Sequence, residues 1–272
     1  MDSMTQSSIP IRSALLVSDV HLSHDQPLLT QGFFHWLAQH TIAAHARPQA
    51  LFVLGDLVDA WVGDDQITAA SESGFEQQLC ELLRKIQAAD ITVYFLHGNR
   101  DFLIGQNFAS ATGTRLLHDP IVIDVQPDAT AGAQPTPRRI ALTHGDQLCT
   151  NDHAYQAFRQ QVREPKWQAE FLAKPLAARL QIAQQLRAQS EIEKSSKSTM
   201  IMDITPSQAQ SLTDDLNVDL LIHGHTHRPG HYILPNGKSR WVLPDWDVDA
   251  TGQLTRGGGL WVDAAGIQPV EP

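Results

Sequence analysis

The chain has 272 residues, 42% of them hydrophobic and 18% charged, with a formal net charge of −10. That balance excludes global disorder and collagen-like structure, and the acidity argues against a general nucleic-acid binder, which must neutralise phosphates with Lys and Arg. Two cysteines, Cys80 and Cys149, make no disulfide framework and favour a reducing compartment; no apolar run approaches the ~18 residues of a spanning helix, and the start MDSMTQSSIPIR lacks the charge and apolar run of a signal peptide.

Residues 1–12 read as a loose, flexible lead-in. Ala14–Val17 is a strand candidate. Leu28, Leu29, Phe33, Trp36, Leu37 and Ile42 recur at helical spacing and predict a helix over 28–45. Ala50–Leu54 is a second strand, Phe75–Ala88 a second amphipathic helix and Ile91–Leu96 a third strand. This alternation predicts an α/β fold with helices on the faces of a sheet. Ile121–Val125 and Ile140–Thr143 look like paired strands, joined by a Pro-, Ala- and Thr-rich surface loop over Pro127–Arg139. Residues 151–216 read as mostly helical, with no strand candidate and a break at Pro175. Val218–Ile222 is a very apolar strand, and 231–263 predict a small antiparallel finish.

The helical block differs in charge from the rest. Between 155 and 197 stand Arg159, Arg163, Lys166, Lys174, Arg179, Arg187, Lys194 and Lys197 against Glu164, Glu170, Glu191 and Glu193, a local +4 that leaves −14 elsewhere. Two readings stay open: a solvated helical face, or a cap turned toward an anionic ligand or an anionic membrane surface. Trp167, Phe171, Leu172, Leu176 and Leu180 of the same block can line an apolar cover or form a helix–helix core.

Five strand candidates run into metal-capable groups. The first leads to Asp19 and His21, the second to Asp56, the third to Asn99, Arg100 and Asp101. Ile140–Thr143 leads to His144 and Asp146, and Val218–Ile222 to His223, His225 and His227. Sites in open α/β sheets form at the carboxyl ends of strands. Taken singly, Asp19-Val20-His21, Gly55-Asp56 and Gly98-Asn99 are also ordinary turns. Three histidines in five residues after a buried strand are harder to explain without a ligand, because burying them unpartnered costs free energy. Imidazole with carboxylate suits a divalent Mn, Fe, Zn or Ni ion, and the lack of thiolates argues against a structural zinc site. Seven donors are too many for one ion with an open position. They fit two ions about 3.5–4 Å apart that share a carboxylate, clamp a phosphate and acidify a trapped water.

These motifs resemble the calcineurin-like binuclear metallophosphoesterase superfamily. The runs SDVHLS, LGDLVDAWVGDD, HGNRDFLIG, THGDQLCTNDHAYQAFR, SSKSTMIMDITP and LIHGHTHRP carry the resemblance further, to the UDP-2,3-diacylglucosamine hydrolase family, over roughly residues 13–246. The resemblance implies a four-layer α-β-β-α sandwich over 13–272 with a helical insertion or cap at 151–216. It implies two Mn²⁺ ions, one held by Asp19, His21, Asp56 and His227, the other by Asp56, Asn99, His144 and His225. Catalytic roles fall to Asp56, Asn99, Arg100 and His225, and substrate contacts to Asn99, Arg100, Asp152, Ser190, Lys194, Lys197 and His225. The implied reaction is attack by activated water on the α-phosphate of UDP-2,3-diacylglucosamine, giving UMP and 2,3-diacylglucosamine 1-phosphate in lipid A biosynthesis. The implied location is the cytoplasm, on the inner face of the inner membrane, with no nucleic acid and no obligate protein partner.

Physical chemistry supports parts of this. Arg100 can meet a phosphate oxygen as charge develops, or serve a salt bridge to Asp101 or Asp146. Lys194 and Lys197, three apart on a helix, share a face that suits a diphosphate or plain solvent. His97 reads as a hydrogen-bonded core residue, His223 as a support for the neighbouring histidines, and His35, His40 and His45 as ordinary helix residues. The chain departs from the family at Lys194, where Asn is common, in the long 127–139 loop, and at Leu243-Pro244-Asp245-Trp246, where a Gly is expected. A phosphodiester or nucleotide phosphatase would share the metal donors and not need the helical block. A metal-free scaffold would lack donors, and a serine hydrolase would need a Gly-x-Ser-x-Gly elbow, which is absent.

Overall fold

The computed structural model describes residues 8–71, 74–127, 136, 138–196 and 203–272, with residues 189–196 described by backbone alone. The elements run β1 (Ile9–Ile11), β2 (Ser13–Val17), α1 (Pro27–His40), β3 (Ala50–Leu54), α2 (Asp65–Ala69), α3 (Phe75–Ala88), β4 (Thr92–Leu96), α4 (Gln106–Thr112), β5 (Arg115–Leu116), β6 (Ile121–Val125) and β7 (Arg138–Thr143). A 3-10 turn at Asp146–Leu148 precedes α5 (His153–Val162), α6 (Pro165–Leu172), α7 (Leu176–Ser196) and α8 (Pro206–Asp215). The chain closes with β8 (Leu220–His223), β9 (Gly230–Ile233), β10 (Ser239–Val242), β11 (Asp247–Val248), β12 (Leu254–Arg256), β13 (Gly259–Asp263) and β14 (Gly266–Val270).

Two six-stranded sheets face each other. One has the order β14-β13-β2-β3-β4-β5, the other β1-β6-β7-β8-β10-β9. β2, β3, β4 and β5 are parallel, with Ala14 beside Ala50 and Ala50 beside Thr92. Strands buried on both faces read as continuous apolar runs, which is why Ala50–Leu54 and Leu220–His223 show no alternation. Leu16, Phe52, Leu54, Ile140, Leu142 and Ile222 fill the space between the sheets. On the outer face of the first sheet lie α1, α3 and α4, packing Phe33, Trp36, Leu79, Leu83 and Phe108 onto Leu15, Leu51 and Val93. On the outer face of the second lies α8, with Ala209 against Val122, Ala141 and Leu221. The order of layers is therefore α-β-β-α, as the resemblance implies.

Most elements stand where the pattern predicts them, and the differences have local causes. α1 stops at His40 rather than 45, because Thr41 leaves helical geometry and its hydroxyl donates to the Leu37 carbonyl. Residues 9–11, expected in a loose lead-in, form β1, parallel to Ile123–Val125. Ile11 is buried, and Pro10 is tolerated because β1 is an edge strand. The strands after 230 pair antiparallel as expected, β9 with β10, β11 with β12 and β13 with β14, but they do not form one small sheet. β9 and β10 extend the second sheet, where β10 runs parallel to β8, while β13 pairs antiparallel with β2 in the first. α8 belongs to the outer layer of the sandwich, although its sequence continues the helical block. Much of the 127–139 loop lies outside the described residues, and Arg138 and Arg139 belong to β7.

Candidate metal centre

Five strands end at one edge of the sandwich. β2, β3 and β4 of the first sheet present Asp19 and His21, Asp56 and Asn99; β7 and β8 of the second present His144, His225 and His227. The loops are bonded to one another: Asp19 N donates to Gly55 O (3.1 Å), His21 N to Asp56 O (3.0 Å), Gly224 N to His144 O (3.0 Å). Asp19, His21, Asp56, His225 and His227 all have positive φ, between 52° and 67°. Non-glycine residues rarely adopt this conformation, and such strain concentrates where side chains must be aimed. Gly98 and Gly224 lie so close to the Asp56 and Asp19 carboxylates that neither position has room for a Cβ.

The donors converge in two groups, Asp19–His21–His227 and Asp19–Asp56–His144. His21 Nε2 and His227 Nε2 are 3.4 Å apart, and His227 Nε2 is 3.4 Å from Asp19 Oδ1. That Oδ1 is buried without a hydrogen-bond partner, while Oδ2 accepts from Ser18 Oγ (2.6 Å) and His225 N (2.9 Å). His144 Nδ1 donates to the Leu54 carbonyl (2.8 Å), which leaves Nε2 facing Asn99 Oδ1 at 3.1 Å and Asp56 Oδ1 at 3.8 Å. His225 packs edge-on against His144, ring centres 5.0 Å apart. Imidazole nitrogens and carboxylate and amide oxygens that crowd together in this way fit divalent cations.

The electrostatics point the same way. Burial raises Asp56, and the Asp19 carboxylate beside it adds to the rise. Burial also opposes a charge on His144, but Asp56, Asp19 and Asp146 outweigh it and push the imidazole up to about 9. In the protein alone a proton balances these carboxylates, a role a cation can take. Burial lowers His225 to about 3, so its imidazole stays neutral.

Around the donors stand residues that brace them. Asp101, buried, accepts from Leu57 N and Gly98 N, both at 2.8 Å, and so ties the Asp56 loop to the Asn99 loop. Burial and then Asp56 push its carboxyl up to about 7. Asp245, within the departing Leu243–Trp246 run, lies 3.6 Å behind His227 Nδ1. Asp59 accepts from Arg100 Nη1 at 2.9 Å. Arg100 thus pairs with Asp59, and its Nε lies 3.9 Å from Asp56 Oδ2; the two alternatives, Asp101 and Asp146, are engaged by backbone amides and by Tyr155 and Arg159 respectively. His97 Nε2 donates to the Ile104 carbonyl (2.7 Å), as a core histidine should. His223 is fully buried, with Nδ1 on the Gly224 carbonyl, and burial lowers it to about 4.

The helical block sends its arginines inward. Arg159 donates to Asp146 (2.7 Å), Arg163 to the Gly98 carbonyl (2.9 Å), Arg179 pairs with Asp65, and Arg187 pairs with Asp59. Four of the eight cations behind the local +4 therefore dock helices onto the site loops. The apolar residues divide. Phe171 is buried with Trp167 stacked on it and Leu176 beside them, whereas Leu172, Leu180 and Leu186 are exposed. Asp152 caps α5, accepting from Tyr155 N. Ser190 and Lys194 fall on the backbone-only end of α7, and Lys197 lies outside the described residues.

A family model for calcineurin-like phosphoesterases matches residues 13–229, and the chain belongs to that family. Within it, the chain is 42% identical to the UDP-2,3-diacylglucosamine hydrolase of Cellvibrio japonicus over 254 residues, 90% of this chain and 98% of that protein. It is 43% identical to the enzyme of the same name from Bordetella pertussis, over 93% of this chain and 92% of that one. Likewise it is 43% identical to the Chromohalobacter salexigens enzyme, covering 86% and 89%. By these measures the chain belongs among the UDP-2,3-diacylglucosamine hydrolases.

Proposed function

We propose that this protein hydrolyses the pyrophosphate of UDP-2,3-diacylglucosamine, with water attacking the α-phosphate to release UMP and 2,3-diacylglucosamine 1-phosphate in lipid A biosynthesis. The observation that carries the reading is the convergence of Asp19, His21, Asp56, His144 and His227 from both sheets, in a chain over 40% identical along most of its length to hydrolases of that name. Two Mn²⁺ ions, one held by Asp19, His21, Asp56 and His227 and one by Asp56, Asn99, His144 and His225, would supply a nucleophile at neutral pH and neutralise phosphate charge.

The chain's own residues then have defined tasks. Ser18 and His225 N occupy Asp19 Oδ2, which leaves Oδ1 as the donor. The Leu54 carbonyl fixes the His144 tautomer so that Nε2 faces the site. Arg100 offers its guanidinium to phosphate oxygens, and such fixed donors act most strongly where charge develops. Asn99, Arg100, His225, Asp152, Ser190, Lys194 and Lys197 hold the nucleotide sugar. In support, Ser190 and Lys194 follow Arg187 by three and seven residues along α7, a spacing that recurs on one helical face. The helices from α5 to α7 act as a cap. In ¹⁸O-labelled water with Mn²⁺ and UDP-2,3-diacylglucosamine, the label is expected in UMP. Label in the sugar phosphate, or turnover of generic phosphodiesters alone, would defeat the assignment.

We further propose peripheral attachment to the cytoplasmic face of the inner membrane through the cap. Among the described residues no helix is long and apolar enough to cross a membrane. Leu172, Leu180 and Leu186 are 41%, 44% and 38% exposed on α6 and α7, apolar surface that acyl chains or a lipid interface would cover. Lys166 and Lys174 lie in the same block, each worth about 1 kcal/mol near an anionic surface. Flotation with anionic liposomes is expected to carry the protein upward at low salt. Failure to float at any salt would remove the proposal.

A further inference from the structure

We propose that Asp59 is a positioning residue: it holds the Arg100 guanidinium at the site and makes that placement depend on the docking of α7. The inference rests on the reading of Arg100 as the phosphate-facing group. Asp59 lies three residues beyond Asp56 in the loop after β3, and its side chain is nearly buried. One carboxylate oxygen accepts from Arg100 Nη1 at 2.9 Å, and the other pairs with Arg187 of α7.

The backbone around it is fixed from several sides. Asp59 N donates to Leu22 O (3.0 Å), in the loop that carries His21. Arg100 N donates to Asp56 Oδ1 (2.8 Å), and Arg100 O accepts from Trp61 N (3.1 Å). With both main chains held, orientation of the guanidinium falls to its side-chain partners. Nε lies 3.9 Å from Asp56 Oδ2 and Nη1 is bound to Asp59, so carboxylates meet two edges of a rigid planar group and set its rotation. Asp56 is assigned to the cations, which leaves Asp59 as the carboxylate committed to the arginine.

Arg187 ties this arrangement to the cap. Two turns earlier in the same helix, buried Arg179 pairs with Asp65 and donates to the Val62 and Lys174 carbonyls, anchoring α7 independently of Asp59. Loss of the Asp59 charge should therefore leave the helix docked and disturb the aim of Arg100. A positioning role separates from a general structural one because its effect on turnover disappears once Arg100 is removed.

The test is a set of kinetic cycles on UDP-2,3-diacylglucosamine with Mn²⁺, combining Asp59→Asn with Arg100→Met and with Arg187→Gln, alongside thermal denaturation of each variant. Asp59→Asn is expected to lower kcat about tenfold or more, with KM changed less than threefold. On the Arg100→Met background it should cost nothing further, and Arg187→Gln should cost nothing further on the Asp59→Asn background. Asp59→Glu, which moves the carboxylate by one methylene, should give an intermediate kcat and serves if the Asn variant does not fold. An equal loss with and without Arg100, or a wild-type kcat for Asp59→Asn beside an impaired Arg100→Met, would overturn this inference alone. A wild-type kcat for Arg100→Met would overturn both it and the reading of Arg100 on which it rests.

Discussion

Replacing Asp56 with Asn is expected to lower turnover by about 10³-fold or more, while leaving the chelator-treated protein at least as stable as the wild type. The functional loss follows from the proposed bridging role. Losing the carboxylate that serves both cations removes several kcal/mol of charge stabilisation, at about 1.4 kcal/mol per factor of ten. The stability expectation has the opposite sign. Asp56 is buried, and burial together with Asp19 raises its carboxyl above the ordinary value. A raised carboxyl contributes stability that is present below the unfolded value near 3.8 and lost as pH rises through the folded one. Asn removes that cost and keeps an oxygen to accept from Arg100 N. The variant's advantage in chelator should therefore grow as pH rises above about 4. Steady-state kinetics with Mn²⁺ and denaturant titration with chelator measure the two halves. A variant within tenfold of wild-type turnover would contradict the bridging assignment, whereas one clearly less stable in chelator at neutral pH would show that the lost pairing of Asp56 with His144 outweighs the cost of burying the carboxylate.

The donor set was legible because each donor follows a buried apolar run, and such runs are readable without knowing which sheet they enter. Their division between the two sheets was not legible. Nothing in Ala50–Leu54 or Leu220–His223 says whether its neighbour in space is near in sequence, and β10 beside β8 or β13 beside β2 is set by long-range pairing. β1 carries almost no periodic signal, being three residues that include a Pro, although Ile9 and Ile11 share one face and the exposed Pro10 lies on the other. The supporting carboxylates were hidden for a different reason. Asp59 and Asp245 look like ordinary acidic loop residues, and Asp101 like one more metal-capable group, until Arg100, His227 and the Leu57 amide are brought to them by other strands. The charge of the helical block illustrates the same limit. A local +4 reads as free cationic surface, whereas Arg163, Arg179 and Arg187 are committed to Gly98, Asp65 and Asp59, far away in sequence, and Arg159 to the nearer Asp146.

Those contacts predict that Asp146→Asn will be among the most destabilising single changes in the protein. Asp146 is fully buried, and its Oδ2 accepts from Tyr155 Oη (2.6 Å) and Arg159 Nε (2.7 Å), with Arg163 Nη2 at 3.7 Å. Burial would raise this carboxyl, but His144, Arg159 and Arg163 outweigh it and hold it far below the ordinary range. Removing one partner of a buried ion pair leaves the other charge uncompensated and costs about 3–5 kcal/mol. For a depressed carboxyl the contribution is present above the unfolded value near 3.8 and lost as pH falls through the folded one. Denaturant titrations should thus show a constant deficit above about pH 5 that narrows only below about pH 4. The site should suffer as well, because Arg163 holds the Gly98 carbonyl beside Asn99, and Tyr155 stands 5.9 Å from the His225 ring. Adding Arg159→Met to Asp146→Asn should recover part of the stability, since the stranded guanidinium goes with it. If the double variant were less stable than Asp146→Asn by the full cost of Arg159→Met alone, the two residues would be acting independently and the ion pair would not be what joins α5 to the metal centre.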